Sequence, residues 1–346
     1  MSRRTPWCVG VALAALLSAA ACGLIPPRQQ PTATPSETPA ATASPGPVVP
    51  RELAASPTVF DVEACAALTE QWLANMPYEI GLDQLRDIYR LVLYHVGSDG
   101  LSDPEYGFAP QDLQDDQADT ARHAEIWSLV ARLFPDEERQ RIRYLLIYTD
   151  GEGESLASVA QSGSPYYWRL AVDIEDAGNT DVLSISLIHE LGHLVTLNES
   201  QVTPDLNLFN HPDDRAAYRQ AQAKCGTYFT AVGCSRGTSY INLFFKRFWP
   251  DLYDAWLAVV SGTGTSSYST GLQRIYNAHR QDFVTEYAVS SPDEDIAESF
   301  RYFVLSPKPA GDTVADQKVR FFYGFSALVR MRAGILQNIC TPAAQP

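Results

Sequence analysis

VLSISLIHELGHLV, residues 182–195, is the stretch of this chain that most restricts its fold. It contains the pattern H-E-x-x-H, in which His189 and His193 are four residues apart and Glu190 follows the first histidine. Residues four apart lie on one face of an α-helix, so both imidazoles can reach a single ion. The flanking residues are almost all apolar, which indicates an interior helix. The segment therefore predicts a Zn²⁺ site on a buried helix, with Glu190 as general base.

The glycine inside this predicted helix supports a special environment. Gly192 stands between the two histidines, and glycine in a helix interior costs about 1 kcal/mol relative to alanine. Close approach of another backbone, or of a substrate strand, would explain its presence. The alternative interpretation of the motif is a pair of core histidines hydrogen-bonded within the protein.

A third metal ligand has to come from elsewhere, because a catalytic zinc takes three protein ligands. The best source is the segment 286–300, EYAVSSPDEDIAESF. Glu294 and Glu298 are four apart on a helix predicted to begin at Pro292, so one can bind zinc while the other accepts a histidine N–H. A competing interpretation makes Ser291 and Glu294 a capping box, and Glu298 is then the ligand.

The two segments together resemble a known family. H-E-L-G-H, followed later by Tyr287 and by Glu294 seven residues beyond it, is similar to the zinc-peptidase domain of anthrax lethal factor and its bacterial relatives. This likeness covers two short blocks of the chain. It implies a gluzincin, the class that includes thermolysin, with a zincin-like fold.

The same resemblance implies roles for individual residues. His189, His193 and Glu294 would be the zinc ligands, Glu190 the general base and Tyr287 a hydrogen-bond donor to the transition state. Glu298 would then orient a histidine from outside the ligand set. The expected substrate is a peptide or protein.

The pattern of the rest of the chain predicts an α+β fold, mostly helical with a small mixed sheet. Asn179 or Thr180 is the expected N-cap of the motif helix, and either predicted strand is a candidate for binding a substrate peptide by strand addition. Helical spacing is found in residues 62–76, 82–96, 118–134 and 314–338, and strand-like composition in residues 141–149 and 168–174.

The N-terminal region predicts export. Arg3 and Arg4 precede an apolar run over residues 9–21, which is too short to span a bilayer, so residues 1–21 are interpreted as a signal peptide. The small residues before Cys22 are similar to a lipoprotein cleavage site, which predicts a lipid anchor on Cys22 and attachment to the outside of a bacterial membrane; ordinary secretion is the alternative. Residues 22–57, rich in Pro and Thr, are expected to form a disordered tether.

The remaining residues, 58–346, are predicted to form the peptidase domain. The chain has 346 residues and a net charge of −15, which makes a nucleic-acid partner improbable. Four cysteines in this part suit disulfides in an exported protein. Cys225 and Cys234 are predicted to close a short loop and Cys65 is a candidate partner of Cys340, although the sequence leaves other pairings open.

These observations favour an exported zinc-dependent metalloendopeptidase. The alternative is a catalytically inactive, zincin-like surface binding protein. His279 stands close to Tyr287 in sequence and is a further candidate to line the cleft.

Overall fold

The structure is a computed structural model, and it describes residues 60–74, 88–151, 155–212, 214–262 and 268–341. Residues from Asp61 onward belong to one compact unit. The predicted signal peptide (residues 1–21), Cys22 and the whole predicted tether (residues 22–57) lie outside the described residues. In the part that is described, no helix is both long enough and apolar enough to cross a membrane.

The described residues confirm a mostly helical protein with a small mixed sheet. Five strands form the main sheet and three short ones form a second sheet. The strands are β1 (Tyr89–Gly97), β2 (Gly100–Tyr106), β3 (Ile142–Thr149), β4 (Ala157–Ser162), β5 (Ser164–Asp173), β6 (Val202–Pro204), β7 (Phe229–Thr230) and β8 (Gly233–Ser235).

The main sheet has the strand order β2-β1-β3-β5-β4. Only β3 and β5 pair in parallel, and the other pairs are antiparallel. The two strands predicted from sequence are therefore both interior strands, with neighbours on each side. Strand addition to either of them, as predicted above, is wrong, because their backbone groups are already paired. Among the described strands, β2 and β4 are the edges of the main sheet.

The predicted helix over residues 82–96 is also wrong where the structure describes it, because Tyr89–Gly97 is strand β1. This strand lies between β2 and β3, and Leu91, Val92 and Tyr94 are buried. A strand buried on both faces is apolar at nearly every position, so its periodicity resembles that of a helix. Residues 97–100 form the hairpin turn between β1 and β2, with Gly100 at a φ of 103°.

The helices supply most of the main hydrophobic core. They are α1 (Val62–Leu73), α2 (Gln114–Ala118), α3 (Thr120–Leu133), α4 (Asp136–Arg139), α5 (Thr180–Leu197), α6 (Leu206–Asn210), α7 (Arg215–Lys224), α8 (Tyr240–Phe248), α9 (Pro250–Val260), α10 (Tyr268–Ala278), α11 (Pro292–Leu305), α12 (Val314–Phe321) and α13 (Ser326–Cys340). Helix α5 carries the motif and packs against α11, α3 and β4.

The last predicted helix, residues 314–338, is broken into α12 and α13. Phe322–Gly324 forms a 3₁₀ turn between them, and Phe325 has extended backbone. Phe322 is fully buried and packs with Phe300 and Phe303 of α11. The bend thus allows aromatic side chains from both halves to reach the same core, which a single straight helix would not.

The described residues form two disulfides, and both predicted pairings are present. Cys65 in α1 is bonded to Cys340 at the end of α13, and Cys225 is bonded to Cys234 across nine residues. The first links the two ends of the described domain. The second closes the hairpin of β7 and β8, which lies next to the start of α11 through a hydrogen bond from Ala231 N–H to Asp293.

Candidate metal centre

Helix α5 places the motif inside the protein. Its N-cap is Asn179, whose side chain accepts hydrogen bonds from the backbone N–H groups of Asp181 and Val182. An N-cap of this kind satisfies helix donors that would otherwise lack a partner. From Leu187 to Leu197 every residue is buried. The helix therefore holds its two histidines in a fixed interior position.

Three ligand atoms converge on one point between α5 and α11. The Nε2 atoms of His189 and His193 are 3.0 Å apart, and Oε2 of Glu294 lies 3.1 Å from the first and 3.2 Å from the second. Ligands at about 2.0 Å from a tetrahedral zinc are separated from each other by about 3.3 Å. The spacing of this group therefore fits a small tetrahedral ion, and these three residues can hold a metal.

Glu298 occupies a different place from Glu294. Its Oε1 is 2.7 Å from Nδ1 of His189, and its Oε2 accepts hydrogen bonds of 2.6 Å from Thr285 Oγ1 and from Arg301 Nη2. Glu298 is fully buried. It therefore faces the outer nitrogen of His189, where an acceptor fixes the ring and directs the Nε2 lone pair towards the ligand group.

The predicted N-cap at Ser291 is present, but it involves only the backbone of Glu294. Ser291 is the N-cap of α11, and its Oγ accepts the backbone N–H of Glu294 at 3.0 Å. The Glu294 carboxylate is directed at the two histidines. The cap and the ligand position are thus compatible, because the cap uses the N–H of the residue and leaves its side chain available.

Gly192 is required by the packing of α5 on α11. A Cβ at this position would lie 3.0 Å from Cα and 3.3 Å from the carbonyl oxygen of Ala297. Backbone atoms cannot move aside as a flexible side chain can. The close approach of another backbone, expected from the sequence, is therefore confirmed, and it brings Glu294 and Glu298 within reach of the histidines.

The charges around the three ligand atoms favour a cation. Burial opposes the charged form of His189, but hydrogen bonds with Glu294 and Glu298 outweigh it and raise its pKa to about 10. Burial of Glu294 is likewise outweighed by His193 and His189, which hold its pKa well below the usual range. With neutral histidines, the carboxylates around the centre, those of Glu190, Asp293, Glu294 and Glu298, outnumber the one guanidinium that pairs with any of them among the described residues, that of Arg301. A divalent cation would balance this excess.

Glu190 lies between the metal centre and the free edge of the sheet. Its Oε2 accepts the backbone N–H of Val159 in β4 at 2.8 Å, and only 7% of the residue is exposed. Burial raises the pKa of Glu190 above its ordinary value, against the lowering effect of His189 and His193. A carboxylate with a raised pKa, close to the metal position, suits a group that accepts and returns a proton.

Tyr287 also faces this centre. Its ring centroid is 5.9 Å from that of His189, with an angle of 56° between the ring planes. The negative charge of Glu294, followed by burial, raises the pKa of Tyr287 well above its usual value. Its hydroxyl therefore stays protonated and can donate a hydrogen bond.

The other histidines are placed elsewhere. His279 pairs with Asp282 on the surface, with 43% of its side chain exposed, so the prediction that it lines the cleft is not supported by its contacts. His123 is buried and contacts the Tyr94 hydroxyl and the Asp116 carbonyl, which makes it a core histidine.

Several residues around the centre were not predicted from sequence. Arg301 stands three residues after Glu298, a helical spacing at which an ion pair was foreseeable. Thr285 and Val159 reach the site by tertiary contacts that leave no sequence pattern.

Comparisons of the chain with known protein families, with curated proteins and with solved structures found no match.

Proposed function

We propose that this protein is an exported zinc metalloendopeptidase in which His189, His193 and Glu294 hold the ion and Glu190 is the general base. The observation that carries the proposal is the triangle of three ligand atoms beside a buried glutamate with a raised pKa. Zinc-dependent hydrolysis requires two histidine ligands, a carboxylate as the third ligand and an adjacent general base. A zincin-like fold and a lipid anchor at Cys22 are parts of the same proposal, and the two disulfides are in keeping with an oxidising compartment outside the cytoplasm.

The free edge of β4 offers a binding site for an extended substrate. Asp173 N–H donates to the Leu156 carbonyl, and Val159 N–H points away from β5 towards Glu190. Because orientation alternates along a strand, the N–H and C=O groups of Ala157 and Gln161 and the C=O of Val159 face the free edge, where the Val159 N–H is already donated to Glu190. A peptide adding to β4 would run past Glu190, with main-chain hydrogen bonds providing affinity.

The chemistry then follows from the positions of the side chains. A zinc ion held here would acidify a water molecule and polarise the scissile carbonyl. Glu190 removes a proton from the attacking water and returns it to the leaving amine. Tyr287 donates a hydrogen bond to the negative charge that develops on the carbonyl oxygen. Glu298, fixed by Thr285 and Arg301, keeps His189 in the required orientation.

The experiment is cleavage profiling of a peptide library with the zinc-loaded full chain and its Glu190→Gln variant. We expect the variant to bind zinc normally and to lose turnover by roughly 10²–10⁴-fold, the range of a positioned acid–base group. Glu137→Gln, at a glutamate with 83% of its side chain exposed, is the matched control and should cleave as the wild type does. Equal cleavage by the Glu190→Gln variant would remove Glu190 from the mechanism. A wild-type protein that binds zinc and cleaves nothing would favour the inactive binding protein.

A further inference from the structure

The two histidines of the metal centre differ in their outer nitrogens. A histidine that binds a metal through Nε2 carries its proton on Nδ1 and normally donates it to a carboxylate, a carbonyl or water. For His189 the acceptor is Glu298, at 2.7 Å. Nδ1 of His193 is buried and has no hydrogen-bond partner among the described residues. A buried donor without an acceptor is costly, so an acceptor for the Nδ1–H of His193 is expected nearby.

Among the described residues, Asp293 has a buried acceptor atom that lacks a donor. It immediately precedes the ligand Glu294 in the first turn of α11 and is 7% exposed. Its Oδ2 accepts the N–H of Ala231 at 3.0 Å, whereas its Oδ1 is buried and has no hydrogen-bond partner in the described part of the protein. Asp293 directly precedes Glu294, whose Oε2 is 3.2 Å from Nε2 of His193, so the start of α11 brings Asp293 close to the His193 ring.

We propose that Asp293 is the positioning residue of His193, accepting its Nδ1–H through one bridging water. No direct hydrogen bond joins the two side chains, and a water between a buried donor and a buried acceptor satisfies both. Asp293 thus corresponds to Glu298, and each histidine has its own outer carboxylate. The inference rests on the proposed function only in requiring that His193 binds the metal.

The disulfide-closed hairpin holds Asp293 in this position. Ala231 lies in the turn between β7 and β8, and that turn is stabilised by Thr230, whose hydroxyl donates to the Gly233 carbonyl at 3.0 Å and accepts the Val232 N–H at 3.2 Å. The Cys225–Cys234 bond closes the base of the hairpin. The hairpin therefore acts on the metal centre through Ala231, Asp293 and His193 in turn, and loss of the disulfide should weaken metal binding.

The test is the zinc affinity of the full chain, measured by competition with a chromophoric chelator. Asp293→Ala should weaken zinc binding by roughly 10–100-fold, as loss of an outer partner does. Asp293→Asn should bind within about threefold of the wild type, because its amide oxygen still accepts from Ala231 and its NH₂ group can still bond the bridging water. Cys225→Ser with Cys234→Ser should weaken binding by an intermediate factor. Cys65→Ser with Cys340→Ser is the matched control, and should leave the affinity unchanged.

Unchanged zinc affinity in Asp293→Ala would overturn the proposal. An equal loss in the Ala and Asn variants would also overturn it, since the charge of Asp293 rather than its hydrogen bond would then matter. If Asp293→Ala does not fold, the zinc affinities of the Asn variant and of the two disulfide variants test the proposal instead. Equal zinc affinities in the two disulfide variants would show that the hairpin does not act on the metal centre. A wild type that binds zinc but cleaves no peptide would contradict the proposed function and leave this inference standing.

Discussion

Glu294 and Asp295 are neighbours in the first turn of α11, and their carboxylates belong to two different kinds of cluster. Asp295 is fully buried, and its Oδ2 lies 2.6 Å from Lys318 Nζ and accepts the Trp249 Nε1–H at 2.8 Å. Glu294, one residue before it, is directed at two imidazoles. The Asp295 cluster carries its own cation, whereas the Glu294 cluster presents three ligand atoms around one point. A buried carboxylate therefore indicates a metal site only when its partners are ligands rather than a cation of the chain.

The largest effect should come from breaking the self-contained cluster. Lys318→Met leaves Asp295 buried without its partner, and removal of one member of a buried ion pair costs about 3–5 kcal/mol of the free energy of unfolding. The double variant Asp295→Asn with Lys318→Met keeps an acceptor for Trp249 and should recover most of this loss. Urea unfolding measures both. A Lys318→Met protein as stable as the wild type would show that the pair is not structurally important.

Removal of the Tyr287 hydroxyl should affect catalysis and not metal binding. Tyr287→Phe deletes a donor to the developing oxyanion, for which a loss of about 10²–10³ in kcat is typical. Steady-state kinetics on a substrate found by cleavage profiling, together with zinc affinity, would test this. A loss of zinc with unchanged kcat in the metal-loaded variant would contradict the assigned role.

Metal removal should destabilise only one of the two clusters. Zinc at 100 times its dissociation constant adds about 2.7 kcal/mol to the stability of the folded state. A chelator should therefore lower the Tm of the wild type and of the Asp295→Asn, Lys318→Met double variant by similar amounts. Differential scanning calorimetry with and without the chelator measures this change in Tm. A wild-type Tm that is the same with and without the chelator would count against a metal centre.

The last effect concerns a third buried carboxylate, Glu138, whose partner Arg141 also pairs with Glu199. Burial raises the pKa of Glu138 to about 7 against the effect of Arg141. The unfolded chain releases this proton near its ordinary pKa, so stability should fall as the pH rises from about 4.5 to 7. The slope is at most about 1.4 kcal/mol per pH unit. Urea unfolding of Glu138→Gln across this range should show a flatter profile than the wild type, and identical slopes would contradict the shift.

The local features of the site could be predicted because they depend on helical spacing. His189 and His193 on one face, a helix beginning at Pro292 and the close packing at Gly192 all follow from residues near one another in sequence. The choice between Glu294 and Glu298 could not be made from spacing, since both are on the inward face of α11. It depends on how α11 lies against α5, where Ala297 meets Gly192.

Contacts between distant elements explain the remaining errors. Strand β1 was mistaken for a helix because its burial on both faces hides the alternation of a strand. The sequence predicts that a substrate peptide binds at β3 or β5, because the order of strands in a sheet cannot be inferred from any single strand. Val159 and Thr285 carry no sequence signal at all, since their contacts with Glu190 and Glu298 are made by the fold.

The central claim is that Glu294, unlike Asp295 beside it, belongs to a metal site, and metal content tests it most directly. Elemental analysis and zinc titration of the purified full chain should find one zinc per molecule in the wild type. The Asp295→Asn, Lys318→Met double variant should retain it, and Glu294→Ala should lose it, with an affinity reduced by more than the roughly 100-fold expected for an outer partner. A wild type without stoichiometric metal, or a Glu294→Ala variant that binds zinc as tightly as the wild type, would contradict the claim.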